Sequence, residues 1–168
     1  MRAIRLALLG LLVFLPSLTN ATEQVWLKSW DGHGRPFDLR SARGKIVAIT
    51  FASRDTKDEA AEVNDTLAEL AANGTVQVIC VVDFSSVPGI GRGMAKKQVA
   101  EHDRPGQINL VDEKGSLKKA FHVDPKSRVD ILVLDAHGNL QGRYAGLGKL
   151  DAAVQKIDEL RAGIEAKR

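Results

Sequence analysis

The sequence predicts an α/β domain: a mixed β-sheet with helices on both faces and a β-hairpin at its N-terminal side. Three observations carry this. Ile46 to Phe51 and Val76 to Val82 are nearly continuous apolar runs, the pattern of strands covered on both faces. Between them, Val63, Leu67 and Leu70 fall at i, i+4 and i+7, with Ala60 and Ala71 beside them, which gives one apolar helical face. The rest of the chain supplies a second hairpin and a closing helix, so the order is strand, helix, strand, then hairpin and helix.

Taken in order, Arg2 and Arg5 precede a ten-residue apolar run, Leu6 to Leu15, closed by Pro16 and the small residues Thr19-Asn20-Ala21. Residues 1–21 therefore read as a secretion signal. Ten helical residues rise only ~15 Å, about half of a bilayer's hydrocarbon core, so the run is a poor membrane span. The mature chain is expected to start near Thr22 and to work outside the cytoplasm, in a bacterial periplasm. Residues 22–168 suit one domain with its own core.

Val25 to Leu39 reads as a hairpin turning through Asp31-Gly32-His33-Gly34, where glycine accepts positive φ. Strand Ile46 to Phe51 leads to a helix from about Thr56 to Ala72, stopped by Asn73-Gly74. Strand Val76 to Asp83 is followed by a loop, Phe84 to Gly93, and a short helix around Ala95 to His102 that ends at Pro105-Gly106. Ile108 to Val111 is a short strand and Ser116 to Phe121 a short helix. Ile131 to Leu134 and Leu140 to Tyr144 pair around the turn 135–139. Leu150, Val154, Ile157, Leu160 and Ile164 then repeat at helical spacing.

Gly44 to Asp58, Gly-Lys-Ile-Val-Ala-Ile-Thr-Phe-Ala-Ser-Arg-Asp-Thr-Lys-Asp, resembles the strand, turn and helix start of thioredoxin-fold proteins, especially the redoxin and TlpA-type branches. Those proteins carry Trp-Cys-x-x-Cys after an aromatic-Ala-Ser/Thr. Further likenesses follow in the expected order: Asp31-Gly32 to Leu39, Leu110 to Gly115, Lys119 to Val123, Ile131 to Gly138 and Tyr144-Ala145-Gly146. The resemblance implies a thioredoxin-like three-layer sandwich. The segment Val87-Pro88-Gly89-Ile90-Gly91, the cysteine-free turn and the export signal are together similar to the periplasmic YtfJ-type branch, which lacks the cysteine pair.

Aligned on Ala52-Ser53, the two cysteine positions of the family hold Asp55 and Asp58, and its cis-proline position holds Val129. Thiol chemistry there needs a thiolate at a helix N-terminus and a second cysteine to resolve the mixed disulfide. Aspartate does neither, so no catalytic residue is assigned. The single cysteine, Cys80, lies in the second apolar run and reads as a small core hydrophobe. Asp55 reads as a helix N-cap with Asp58 at the capping-box position. As ligands for a hard cation, Asp55, Asp58 and Glu59 fall far short of the six or more oxygens calcium takes. A third use for Arg54, Asp55 and Asp58, with Arg128, is a recognition surface.

The glycines between Pro88 and Gly93, followed by Lys96 and Lys97, match neither a dinucleotide fingerprint nor a P-loop and read as a flexible turn rather than an anion cradle. His33, His102, His122 and His137 lack zinc-site spacing. No cofactor or metal is implied. The chain has 24 basic and 21 acidic residues; without Arg2 and Arg5 the domain is close to neutral, which speaks against a nucleic-acid partner. The expectation is a monomeric, exported, non-catalytic domain, without a membrane-spanning segment after cleavage. It binds another envelope protein at a rim of Arg54, Asp55, Asp58, Arg128 and Val129. The alternative is a divergent redoxin or peroxidase using Cys80.

Overall fold

The computed structural model describes residues 24–102, 104–125 and 128–166. The expected secretion signal, residues 1–21, lies outside them. Among the described residues no helix is long and apolar enough to cross a membrane.

Strand β3 (Ile46–Ser53) is the axis of the molecule, and all eight of its residues are buried. It pairs in parallel with β4 (Val76–Asp83), which pairs in parallel with β5 (Gln107–Asp112). On its other edge it pairs antiparallel with β6 (Asp130–Leu134), which carries β7 (Leu140–Ala145). The five-stranded order is therefore β5-β4-β3-β6-β7. A separate hairpin, β1 (Lys28–Trp30) and β2 (Pro36–Asp38), is held to the edge of β5 by a bridge between Asp31 and Leu110.

The period-two alternation of the strands divides the core in two. Ala48, Ala52, Val78, Ile131 and Val133 point to one face, covered by α1 (Lys57–Ala71) and α4 (Leu150–Glu165) through Val63, Leu67, Leu150 and Ile157. Ile49, Phe51, Ile79, Val81 and Leu132 point to the other, covered by Val25, Leu27 and Leu39 of the hairpin region and by Phe121, which follows α3 (Ser116–Ala120). The expected mixed sheet with helices on both faces and an N-terminal hairpin is present.

Two local expectations are corrected. The segment read as a loop from Phe84 to Gly93 is helical from Gly89: α2 spans Gly89–Glu101. Pro88 precedes its first turn, where N–H groups lack helical partners anyway, and the exposed glycines are tolerated there rather than forming a turn. Lys96 pairs with Glu113, and Lys97 lies 3.8 Å from Glu101, so neither cation is turned to an anion cradle. None of the α2 residues is buried.

The second correction concerns the helix cap. Ser53, not Asp55, caps the turn: its Oγ accepts the Asp55 N–H at 3.2 Å, while Thr56 Oγ1 accepts the Ser53 N–H at 3.0 Å. A 3-10 turn, Arg54–Thr56, intervenes between β3 and α1. The cap therefore falls at the end of the strand, two residues before Asp55.

One polar group interrupts the apolar face of α1. Asn64 accepts a hydrogen bond from Thr50 Oγ1 at 2.8 Å and donates to Cys80 Sγ at 3.3 Å, all three groups being buried. Asn64→Ala leaves the Thr50 hydroxyl and the thiol without their shared partner and opens a small cavity. Urea unfolding of this variant is expected to show a loss of about 1–3 kcal/mol.

Candidate functional site

The site is built where β3 runs out. Beyond Ser53 the chain must leave the sheet, and two sets of hydrogen bonds decide how. Ser53 Oγ donates to the carbonyl of Pro125 at 2.7 Å, and Thr56 Oγ1 reaches the same oxygen at 3.0 Å. These bonds fasten the turn before α1 to the segment that leads into β6. The second set starts from Glu59 in the first turn of α1. One of its carboxylate oxygens accepts the Val129 N–H at 3.0 Å and the other the Leu147 N–H at 2.7 Å. The Gly146 N–H in turn donates to the Val129 carbonyl at 2.8 Å.

This arrangement fastens the turn 54–56 and the first turn of α1 to Pro125, Val129 and Leu147. Arg54, Asp55, Asp58 and Arg128 are exposed. Val129 differs: its side chain is fully buried among Ala52, Ala60 and Ile131 in the core and contributes only backbone to this edge. It differs from a proline in one chemical respect: it has an N–H, and that N–H is taken up by Glu59. Both oxygens of Glu59 are occupied in this way, so it adds no free ligand to Asp55 and Asp58. No group of three or more metal-ligating side chains occurs among the described residues.

Beside this edge lies a cleft of about 850 Å³ between α1 and α2. Arg54, Asp55 and Asp58 stand along it, Met94 and Val99 of α2 form its wall, and Asn64 and Cys80 reach it from below. Cys80 is nonetheless only 5% exposed. Burial pushes its thiol above the ordinary value, against the smaller opposing effects of hydrogen bonds with Thr50 and Asn64. A reactive thiol needs the reverse, a depressed pKa with access to solvent.

Asp130, the first residue of β6, also differs from an ordinary surface carboxylate. Burial raises its pKa, partly offset by Arg128, and its Oδ2 has no hydrogen-bond partner among the described residues. Further along the ends of the parallel strands, Ser53, Asp83 and Asp112 stand in register. Asp83 is paired with Lys118 at 2.5 Å, and Asp112 accepts the backbone N–H groups of Ser116, Leu117 and Lys118. Both aspartates are therefore structural. The sequence names Glu59 only as a weak cation ligand, because nothing local announces its bonds to Val129 and Leu147. The Ser53-x-x-Thr56 spacing, by contrast, was a readable capping signal.

No family model matches this sequence, and no curated protein matches it. Solved structures do. An exposed lipoprotein thioredoxin, Etrx1 of Streptococcus pneumoniae, superposes with a TM-score of 0.62 at 22% identity, covering 81% of this chain and all of its own. A DsbE-type thiol:disulfide interchange protein from Chlorobium tepidum gives 0.63 at 16% identity, covering 83% of this chain and 96% of its own. A SCO1/SenC family lipoprotein from Bacillus anthracis gives 0.59 at 14%, covering 83% and 95%. The fold is thioredoxin-like.

Three outcomes test the site. Ser53→Ala is expected to lower stability by about 1–2 kcal/mol, whereas Asp55→Ala changes it by less than about 0.5 kcal/mol, both read by chemical denaturation. Glu59→Ala is expected to cost about 2 kcal/mol, since two N–H groups lose a charged acceptor. For Cys80 the folded pKa is raised, so its contribution is complete below the unfolded value of about 8.5 and is lost as pH climbs from there toward the folded pKa. The melting-temperature gap between wild type and Cys80→Ala should accordingly narrow above about pH 8.5.

Proposed function

We propose that this chain is an exported, non-catalytic binding protein of the bacterial envelope, of the YtfJ-type branch. It engages another envelope protein through the edge formed by Arg54, Asp55, Asp58 and Arg128. One observation carries this reading. The two positions at which a thioredoxin-fold enzyme would hold its thiols are exposed aspartates, while the only cysteine lies in the core on β4.

The geometry supports the same reading in a second way. The backbone groups beside the turn are already engaged internally, through Pro125, Glu59 and Gly146. What the edge offers to a partner is a set of exposed charged side chains. Such groups set orientation and partner choice more than raw affinity. Burial and the raised thiol pKa weigh against a redoxin mechanism through Cys80.

Two experiments decide the matter. Insulin reduction and peroxide consumption are measured on wild type and on Cys80→Ser; activity abolished by the substitution would overturn the proposal, and the expected result is none in either. Crosslinked pull-down from the native envelope is then compared between wild type and an Arg54→Glu/Asp58→Lys variant. A recurrent partner retained by the first and lost by the second is the expected outcome.

A further inference from the structure

The chain contains two tryptophans, and both are exposed on one face of the N-terminal hairpin: Trp26 is 58% and Trp30 61% exposed. Along this extended segment Val25 and Leu27 turn into the core, so Trp26, Lys28 and Trp30 point outward, spanning ~13 Å at the rise of a strand. On the neighbouring strand Pro36 stands opposite Trp30 and Asp38 opposite Lys28. The guanidinium of Arg43 lies over the ring of Trp26, 5.7 Å from its centre.

The stretch of chain that carries both tryptophans is also rich in basic residues. Between Trp26 and Lys45 there are five basic residues and two acidic ones, a surplus of three in a domain whose 22 basic and 21 acidic residues otherwise nearly cancel. Asp31 and Asp38 are matched by Arg35 at 2.6 Å and Arg40 at 2.5 Å. The remaining basic residues are Lys28, 3.7 Å from Asp38, with Arg43 over Trp26 and Lys45 two residues further on. Neither Arg43 nor Lys45 is held by a carboxylate among the described residues.

We propose that this hairpin face docks on an anionic lipid bilayer. Indole rings settle at the boundary between water and hydrocarbon, and lysine and arginine reach from there to negative headgroups. An uncharged glycan would use the tryptophans and leave the cationic surplus unmatched.

Because both tryptophans belong to the patch, intrinsic fluorescence reports on it alone. The test uses protein recovered from its own envelope, with vesicles of phosphatidylethanolamine and phosphatidylglycerol against vesicles of phosphatidylcholine. Expected are a blue-shifted emission and quenching by brominated lipid with the anionic vesicles only, weakened by added salt. Arg43→Glu/Lys45→Glu should lower partitioning by about tenfold or more. Trp26→Ser/Trp30→Ser should lower it likewise in cosedimentation, with circular dichroism unchanged in both variants. The apolar run Leu6 to Leu15 is the same in every variant, so differences between them belong to the hairpin. Equal binding to both vesicle types, binding indifferent to these substitutions, or a spectral shift with isolated cell-wall glycan but not with lipid would each overturn the proposal.

Discussion

The structure depends on the complete burial of β3. A strand with neighbours on both edges and covered faces on both sides has no free backbone groups and no side chain in water, so its position is over-determined. Ile46, Ala48 and Ala52 are claimed by the α1 and α4 side, Val47, Ile49 and Phe51 by the hairpin side. What the chain presents to its surroundings is therefore decided where this strand begins and ends. At one end stand Arg43 and Lys45, at the other the turn from Arg54 to Asp58.

At the far end, where β3 gives way to α1, the polar groups of the turn are directed inward. The Ser53 and Thr56 hydroxyls are turned inward to Pro125, and Glu59 accepts N–H groups from Val129 and Leu147. In a thioredoxin-like frame these two segments must be held together whether or not chemistry occurs between them. Here side-chain hydrogen bonds hold them, and the aspartates at the helix start are left free of structural duty. Charge exposed without a structural role is the material from which recognition surfaces are made.

Much of the fold was legible in the sequence because it rests on local periodicity. The apolar runs at 46–51 and 76–82, the helical stripe of Val63 and Leu67, and the glycine stop at Gly74 each announce an element by themselves. α2 was not legible in its first turn, because glycine at 89, 91 and 93 argues locally for a loop and only the structure shows the helix. The cap is legible only in part: Asp55 is as good a capping residue as Ser53, and the Ser53-x-x-Thr56 spacing favours Ser53 only when Thr56 is read as its partner. Val129 could be aligned to its position from neighbouring motifs, but that its side chain is buried follows from packing alone. Glu59 shows the limit most clearly, since both of its partners lie at least seventy residues away.

α2 has a consequence for how the core is guarded. Glycine in a helix interior costs up to about 1 kcal/mol relative to alanine, Gly93 lies in that interior, and the helix buries no side chain in return. Ile90 and Met94 on it face water. Such an element sits at the low end of the stability distribution within a domain, so its backbone exchanges with solvent long before β3 or α1 opens. The cleft above Asn64 and Cys80 is therefore walled on one side by a helix that buries no side chain of its own.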